Sequence, residues 1–419
     1  MRVLTCNKMP VIIYATMDSQ KKWHYRLPPI DLKNFGSNIF SALAHLKRRL
    51  QFTGWLQYLI PAVVLLVIFL AAALAGTFGR VYQAVPLWML GILLLGVEIF
   101  DLVTVKFRLR PHEQLPQRHD NLGMFDLIRL RRSCRSFQTR KLTAADYNEL
   151  ITSVRLHCAE PTIGTAPIRF EYVSAPLTVW PVVNATEFLV AIAPSKYDRL
   201  AVIDVGRTLE KIVIDATRMG LGTCWIGPGA DHASIIRDLG ARFNPEQDHI
   251  ICVCAVGYRS SFWPILVRLI QIQFHRRKPL AELFFADAHF QQPLNVDAAP
   301  FNRFERCYEV CQWSPSSYNG QTTRCAAVMA PNGDQAGQDD EGQPHLERFD
   351  FYTATASRYY APVAVGIWCA HWELGCEKLG IPGHFAVLPA EERGLKAEDA
   401  VQQLPRYDVS WVLDEKFEL

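Results

Sequence analysis

The sequence predicts an α+β protein made of two related halves that follow a pair of membrane-spanning helices. Three observations carry this prediction: a long apolar run, two glycine-bounded helix patterns, and strand-like stretches that recur at a similar separation. A chain of 419 residues has room for two or three domains. We divide it into an N-terminal segment (1–52), a helical hairpin (53–107), a first half (120–292) and a second half (300–419).

Charge and cysteine content narrow the function classes. The chain has 44 basic and 41 acidic residues and a net charge of +3, so it is not expected to bind nucleic acid through bulk electrostatics. None of its 11 cysteines forms a Cys-x-x-Cys pair, and no metal site is predicted. A chain of this length does not need disulfides, so free thiols in a reducing compartment are expected.

Two apolar runs predict the membrane hairpin. The run 56–76 contains no charged side chain, and about 20 such residues span a hydrocarbon core about 30 Å thick. Trp55 stands at its start, where an interfacial aromatic is expected. The second run, 85–102, is interrupted by Glu98 and Asp101. It fits a second span, a re-entrant piece or an interfacial helix, and we favour the span.

Basic residues predict the orientation of the hairpin. They flank both of its ends, whereas the short loop between the runs holds Arg80. The flanking residues are Lys47, Arg48 and Arg49 before the first run, and Lys106, Arg108 and Arg110 after the second. The positive-inside rule then places the N-terminus and the soluble part in the cytoplasm. The expected localisation is a two-pass membrane protein that contacts lipid through residues 53–107. The true start could be Met1 or Met17.

The soluble part carries signs of an internal duplication. A glycine, thirteen residues and a second glycine occur at 206–220 and again at 366–380. Apolar residues recur between the glycines at helical spacing, and each closing glycine suits a helix C-cap with positive φ. Upstream, 169–176 and 324–331 both run from an arginine to a proline and resemble strands. Two halves of similar plan, separated near 293–300, are therefore predicted.

Cationic and hydroxyl-rich motifs supply the candidate site residues. Arg131, Arg132, Ser133 and Arg135 lie within five residues, and arginine suits bidentate contact with phosphate oxygens. A juxtamembrane patch attracted to anionic lipid is the alternative. Further along the chain, a second cationic cluster, a turn that leads into a strand, and a loop of hydroxyls and amides complete the set. These supply Arg276 and Lys278; Ile226 and Gly227; and Pro315, Ser316, Ser317 and Asn319.

Together these motifs resemble the FMN-dependent nitroreductase family, and in particular its transmembrane subgroup, over residues 122–419. The resemblance implies that the four residues at 131–135, with Arg276 and Lys278, hold the FMN phosphate. It implies that the Pro-Ser-Ser-x-Asn loop contacts the flavin ring, and that Ile226 and Gly227 place backbone near its reactive edge. Family members are homodimers with two flavin sites, each built from both subunits.

This chain departs from the family order in a way that predicts a single site. The first half lacks the Ser-Ser-x-Asn where it is expected, since 157–164 reads His-Cys-Ala-Glu-Pro-Thr-Ile-Gly. The second half has no counterpart of the arginine-rich segment 131–135 before Arg306. Each half therefore lacks what the other retains. The prediction is a fused pseudo-dimer with one FMN site, for which a single chain could suffice.

The resemblance implies an enzyme in which the flavin carries the chemistry and no side chain acts as a catalytic nucleophile or base. NAD(P)H would reduce FMN, and a nitroaromatic, quinone or similar small-molecule acceptor would then be reduced in a ping-pong cycle by hydride transfer. The alternatives are a flavin-dependent reductive dehalogenase and a non-catalytic membrane flavin-binding or sensor protein. Five aromatics could line the acceptor pocket, although each is more readily explained as core: Trp225, Trp313, Tyr318, Tyr359 and Tyr360.

An apolar stripe between Phe262 and Phe274 predicts one further helix. Its polar side carries Arg268 and Arg277, so the helix could lie on the membrane surface. It could equally pack against the domain core, which is the interpretation we favour. A membrane-surface position would make a lipophilic quinone a natural acceptor.

Overall fold

The computed structural model describes residues 15–17, 23–25, 55–177, 179–227, 229–273, 276–330, 345–393 and 404–418. It separates residues 1–49 from residues 50–419 as two units. In the first unit, strands β1 (Ala15–Met17) and β2 (Trp23–Tyr25) pair antiparallel. The basic residues 47–49 that entered the orientation argument lie outside the described residues.

The predicted hairpin is confirmed as two packed apolar helices, α1 (Leu56–Thr77) and α2 (Val81–Asp101). By length and composition both could cross a membrane. Their outward side chains are exposed, as with Leu66 (59%) and Leu93 (67%), whereas the core helix of a soluble protein would be covered. A π-helical turn, Leu102–Lys106, ends the hairpin. Lys106 Nζ lies 4.3 Å from the Trp55 ring centroid, which joins the two ends.

The first half is a four-stranded antiparallel sheet covered by helices. The strand order is β3-β4-β6-β5. Strand β4 is buried along nearly its whole length, because helices cover both faces of the sheet. In chain order the elements are α3 (Met124–Leu130), α4 (Ala144–Cys158), β3 (Arg169–Ser174), β4 (Glu187–Pro194), α5 (Arg199–Arg218), β5 (Gly222–Ile226), α6 (His232–Leu239) and β6 (Asp248–Gly257).

Helix α7 (Ile265–Gln273) belongs with the hairpin. It lies against α1 and α2, and its first amide, at Ile265, donates to the Asp101 carboxylate at 2.6 Å. Phe262, just before the helix, lies 6.3 Å from Phe100 between ring centroids. Among the described residues, none of α7 belongs to a core cluster of the soluble domain. The core-packed interpretation that we favoured was therefore wrong.

The second half repeats the strand order of the first. Its sheet runs β10-β11-β9-β8, with β7 added parallel beyond β8. The elements are β7 (Phe284–Phe285), α8 (Glu305–Gln312), β8 (Thr323–Met329), β9 (His345–Thr353), α9 (Tyr360–Leu379), β10 (Gly383–Ala386) and β11 (Arg406–Glu418). Thus β8, β9, α9, β10 and β11 follow the plan of β3, β4, α5, β5 and β6. The α+β class is confirmed.

Strand β7 lies in the first half by sequence but belongs to the sheet of the second half. The sequence places residues 284–285 in the first half, yet they pair with β8 in the second sheet. Phe284 is fully buried there and lies 5.2 Å from Trp368 between ring centroids. The end of the first half therefore completes the core of the second, and the two halves share one core.

Helices α5 and α9 cross at their two equivalent glycines. A Cβ on Gly366 would lie 1.9 Å from the Ile203 carbonyl oxygen, and one on Gly206 would lie 2.4 Å from the Val363 carbonyl oxygen. The backbones thus meet directly at the crossing. The closing glycines, Gly220 and Gly380, have φ of +79° and +69°, which confirms the predicted C-caps.

We expect Gly366→Ala to destabilise the protein by about 1–3 kcal/mol or more, because the new methyl group meets partner backbone that cannot turn aside. Gly375→Ala, on the same helix, is the matched control, since its Cβ would meet the Cys307 thiol at 2.8 Å instead of partner backbone. Denaturant unfolding measures both variants. Equal stabilities for the two variants would contradict the backbone contact.

Candidate functional site

The arginine-rich segment 131–137 lies along the edge of the first sheet. Ser133 bridges to Thr223 of β5, and the Cys134 amide donates to the Thr223 carbonyl at 2.7 Å. Gly222 permits this approach, because a Cβ there would lie 2.7 Å from the Cys134 sulfur. Ile226 ends the same strand, about 10 Å further along at about 3.3 Å per residue. One strand therefore aligns two of the predicted motifs.

The guanidinium groups of Arg129, Arg132 and Arg277 surround Trp313 of the second half. The guanidinium carbons of Arg132 and Arg277 lie 4.8 Å and 5.2 Å from its ring centroid. Burial, and then the charges of Arg131 and Arg132, lower the pKa of Arg277 to about 10. Arg131 is itself almost fully buried. Arg131, Arg132 and Arg277, whose charges act on one another, are together named the arginine cluster.

One of the three cations in this cluster lies beside a carboxylate. Arg131 approaches Glu210 at 3.4 Å. Within the described ranges, no carboxylate forms an ion pair with Arg132, Arg277 or Arg259. Burial lowers the pKa of Arg132, and the charges of Arg131, Arg129 and Arg259 lower it further. Partly desolvated guanidiniums in this arrangement favour a multivalent anion such as a phosphate monoester.

The loop 315–321 is held against the segment 276–278. Arg277 donates through Nη1 to Asn319 Oδ1 at 2.8 Å, and Asn319 Nδ2 donates to the Arg276 carbonyl at 2.8 Å. The Lys278 amide donates to Gln321 Oε1 at 2.8 Å, while Ser316 Oγ accepts from the Gln321 amide at 2.9 Å. Two motifs that are some forty residues apart in sequence thus form one structure.

The same loop contains concentrated backbone strain. Tyr318, Asn319 and Gln321 have φ of +52°, +53° and +45°, a region that side chains other than glycine rarely occupy. The side-chain hydrogen bonds of Asn319 and Gln321 offset that cost. Strain of this kind tends to collect where function requires a fixed shape.

The predicted residues contribute unequally to this arrangement. Arg276 is exposed and contributes its carbonyl oxygen, while Lys278 Nζ lies 2.7 Å from Glu282 on the surface. Gly227 packs beneath Tyr360 of α9, since a Cβ there would lie 2.8 Å from the ring. The remaining predicted residues lie at partly buried positions on the clamp and loop: Ser133, Arg135, Pro315 and Ser317.

Sequence reasoning missed Arg277 and Arg259 as members of the site. The run Arg-Arg-Lys at 276–278 offers three cations, and the pattern does not say which one turns inward. Arg259 follows β6, and its charge acts on Cys134, whose pKa burial raises to about 12. Its position depends on sheet pairing and carries no local sequence signal.

The region equivalent to the candidate site, with the roles of the two halves exchanged, has a balanced charge. The loop 159–164 matches the position of 315–321, and Asp204 fixes it by accepting from the Ile163 and Gly164 amides, each at 2.8 Å. Glu160 and Glu373 there pair with Lys211 at 2.5 Å and 2.9 Å. Arg207 pairs with Glu373 at 2.6 Å. Two acids face two cations, so this side does not favour an added anion.

His157 extends this balanced network. It contacts Glu160 through Nδ1 at 2.6 Å and Asp215 through Nε2 at 3.0 Å. Burial works to lower the pKa of His157, but hydrogen bonds to Asp215 and Glu160 outweigh it and raise the pKa to about 9. The charged imidazolium is therefore part of the folded structure at neutral pH.

Comparisons with known proteins agree on one family. A family model described as "Putative TM nitroreductase" matches residues 123–333, half of the chain. No protein of curated function matches. Of the solved structures, a "putative nitroreductase" from Thermotoga maritima is 15% identical with a TM-score of 0.40, covering 73% of this chain and 100% of that one.

Two further solved structures resemble smaller parts of the chain. A nitroreductase with bound FMN from Bacteroides fragilis is 17% identical with a TM-score of 0.27, covering 33% of this chain and 89% of that one. An FMN-dependent nitroreductase from Clostridium difficile is 18% identical with a TM-score of 0.27, covering 32% of this chain and 87% of that one.

We expect alkaline pH to weaken the folded state through His157. Because its pKa is raised, its contribution is fully present below pH 6.5 and is lost as the pH rises through about 9. The Tm measured between pH 6 and 10 should fall less steeply in His157→Gln than in the wild type. His384→Gln, at an exposed histidine beside Asp414, should keep the wild-type slope; a wild-type slope in His157→Gln would contradict the assignment.

Proposed function

The chain belongs to the nitroreductase family of oxidoreductases, and from this premise we propose a membrane-anchored enzyme with one FMN site between its two halves. The observation that carries the proposal is the arginine cluster, in which partly desolvated cations lie beside a strained loop from the other half. Solved family relatives described as FMN-bound or FMN-dependent support the choice of flavin.

The residues present fit FMN. Its phosphate carries up to two negative charges, and Arg132 and Arg277 have no carboxylate partner among the described residues. Arg131 and Ser133 would complete that end of the site, with Arg135 beside them. The loop 315–321 would supply polar groups to the ring, and Ile226 and Gly227 would border its reactive edge. The balanced charges around Glu160 support one site per chain rather than two.

When bound, FMN supplies two-electron chemistry between an NAD(P)H donor and a nitroaromatic, quinone or similar acceptor. The chain's own residues bind and orient. Arginine and backbone N–H donors stabilise negative charge on a flavin, and the strained loop is fixed before any ligand arrives. Tyr360 covers Gly227, and Tyr318 is 72% exposed beside the site, so these rings would border the acceptor.

Membrane anchoring is supported by the hairpin and by α7. Both hairpin helices present apolar side chains outward, and α7 lies against them. Arg277 stands four residues after the last residue of α7, which would bring the flavin site close to the bilayer surface. With basic residues at the described end of the hairpin, a cytoplasmic catalytic part is the orientation we propose.

Arg277→Ala and Asn319→Ala, made separately, should each raise the Kd for FMN by about tenfold or more, or about 1.4 kcal/mol. Arg277→Ala removes a cluster cation, and Asn319→Ala releases the strained loop. Quenching of flavin fluorescence on binding to the detergent-purified protein measures the change. Arg242→Ala, at an exposed arginine beside Glu171, should bind FMN normally. Wild-type affinity in both site variants would refute this position for the flavin.

Leu66→Arg combined with Leu93→Arg should reduce membrane integration, since each arginine costs about 2.5–3.5 kcal/mol at the centre of a span. Alkaline carbonate extraction of membranes measures the fraction retained. The control is Leu156→Arg, at an exposed leucine on α4, which should leave retention unchanged. A wild-type chain that carbonate releases into the supernatant would contradict the anchor.

A further inference from the structure

A fully buried acid and histidine join the two halves beneath the arginine cluster. Glu210 on α5 and His371 on α9 have no exposed surface. Glu210 Oε1 lies 3.1 Å from His371 Nε2, and Glu210 Oε2 accepts from the Trp225 indole N–H at 3.0 Å. A buried charge of this kind is costly unless it is compensated, and the flavin chemistry proposed above does not use either group.

The contacts of His371 require one shared proton. Its Nδ1 lies 2.8 Å from the Val310 carbonyl oxygen. A carbonyl can only accept, so Nδ1 carries a hydrogen. The contact between Nε2 and Oε1 then needs one proton as well, either on the imidazole or on the carboxyl group. In both placements the Glu210–His371 pair is neutral overall.

Whether the Glu210–His371 pair is neutral determines whether Arg131 is free to bind an anion. Arg131 Nε approaches Glu210 Oε1 at 3.4 Å, but it forms no hydrogen bond there in the described structure. If Glu210 kept an uncompensated charge, Arg131 would be its nearest cation and would turn fully toward it. A neutral pair leaves the Arg131 guanidinium positive and free to bind an anion.

Other groups around the pair do not substitute for that proton. Cys254 on β6 faces Glu210, and burial raises the pKa of its thiol well above the ordinary value, so it stays uncharged. Ser314 Oγ lies 2.9 Å from His371 Nδ1 and directly precedes the loop 315–321 of the proposed site. On one side His371 therefore contacts Ser314, next to the loop 315–321. On the other side it contacts Glu210, which lies beside Arg131 of the arginine cluster.

We propose that His371 is a positioning residue of the flavin site: by sharing a proton with Glu210, it keeps Arg131 available for the FMN phosphate. The proposal rests on the proposed function. It also explains why an acid lies fully buried beside cations that would bind an anion, because the histidine cancels the charge of that acid.

The test compares FMN Kd values by fluorescence quenching in the full-length, detergent-purified protein. His371→Gln should raise the Kd about tenfold, because the Glu210 carboxylate then recruits Arg131. The double variant Glu210→Gln/His371→Gln should return to within about threefold of the wild type, since no carboxylate remains. Glu210→Gln alone should bind FMN at least as tightly as the wild type.

These variants separate a positioning role from a structural one. A purely structural pair predicts that the double variant binds no better than His371→Gln, and that result would overturn the proposal, as would weaker binding by Glu210→Gln. The Tm of each variant shows whether it folds. If His371→Gln does not fold, Glu210→Gln still tests the proposal, because glutamine preserves the hydrogen bonds of the pair. If the wild type binds no FMN, the proposed function itself falls and this inference with it. Wild-type binding with an unchanged His371→Gln overturns the inference alone.

Discussion

Helices α5 and α9 touch through their backbones at Gly206 and Gly366, and the arrangement of the two sheets follows from that contact. A side chain at either position would collide with a carbonyl of the other helix. Each helix lies between the second and third strands, in sequence order, of its own half. The crossing therefore sets how the two sheets face each other, and which loops of one half meet which strands of the other.

The candidate site is a product of that arrangement. The arginine-rich segment 131–137, beside the edge strand β5, belongs to the first half, whereas Trp313 and the strained loop belong to the second. Both sides of the core inherit the same layout, yet their charges differ. One side gathers Arg132 and Arg277, which pair with no carboxylate in the part of the chain that the structure describes, and the other matches Glu160 and Glu373 with Lys211 and Arg207. Charge rather than backbone plan distinguishes the two sides.

Sequence patterns predicted the features that depend on local chemistry. Apolar runs predicted the hairpin, because a spanning helix needs nothing but length and hydrophobicity. Gly220 and Gly380 predicted helix ends, because a C-cap requires positive φ. The matching strand order agrees with the predicted duplication. The assignment of roles to individual site residues remains a prediction.

Features that depend on tertiary contacts were not accessible from sequence. Arg277 joins the cluster through its contact with Trp313, a residue of the other half. Strand β7 crosses to the second sheet, although local propensity does not identify its partner. The Glu210–His371 contact joins residues 161 positions apart, and the glycine-bounded patterns that contain them do not single out either residue.

Counting the flavin bound to each chain tests the central claim most directly. The detergent-purified protein, saturated with FMN and freed of excess, would be denatured and its released flavin measured against protein concentration. The single asymmetric site predicts about one FMN per chain. Two per chain would mean that both sides of the core bind flavin, and none would contradict the site altogether.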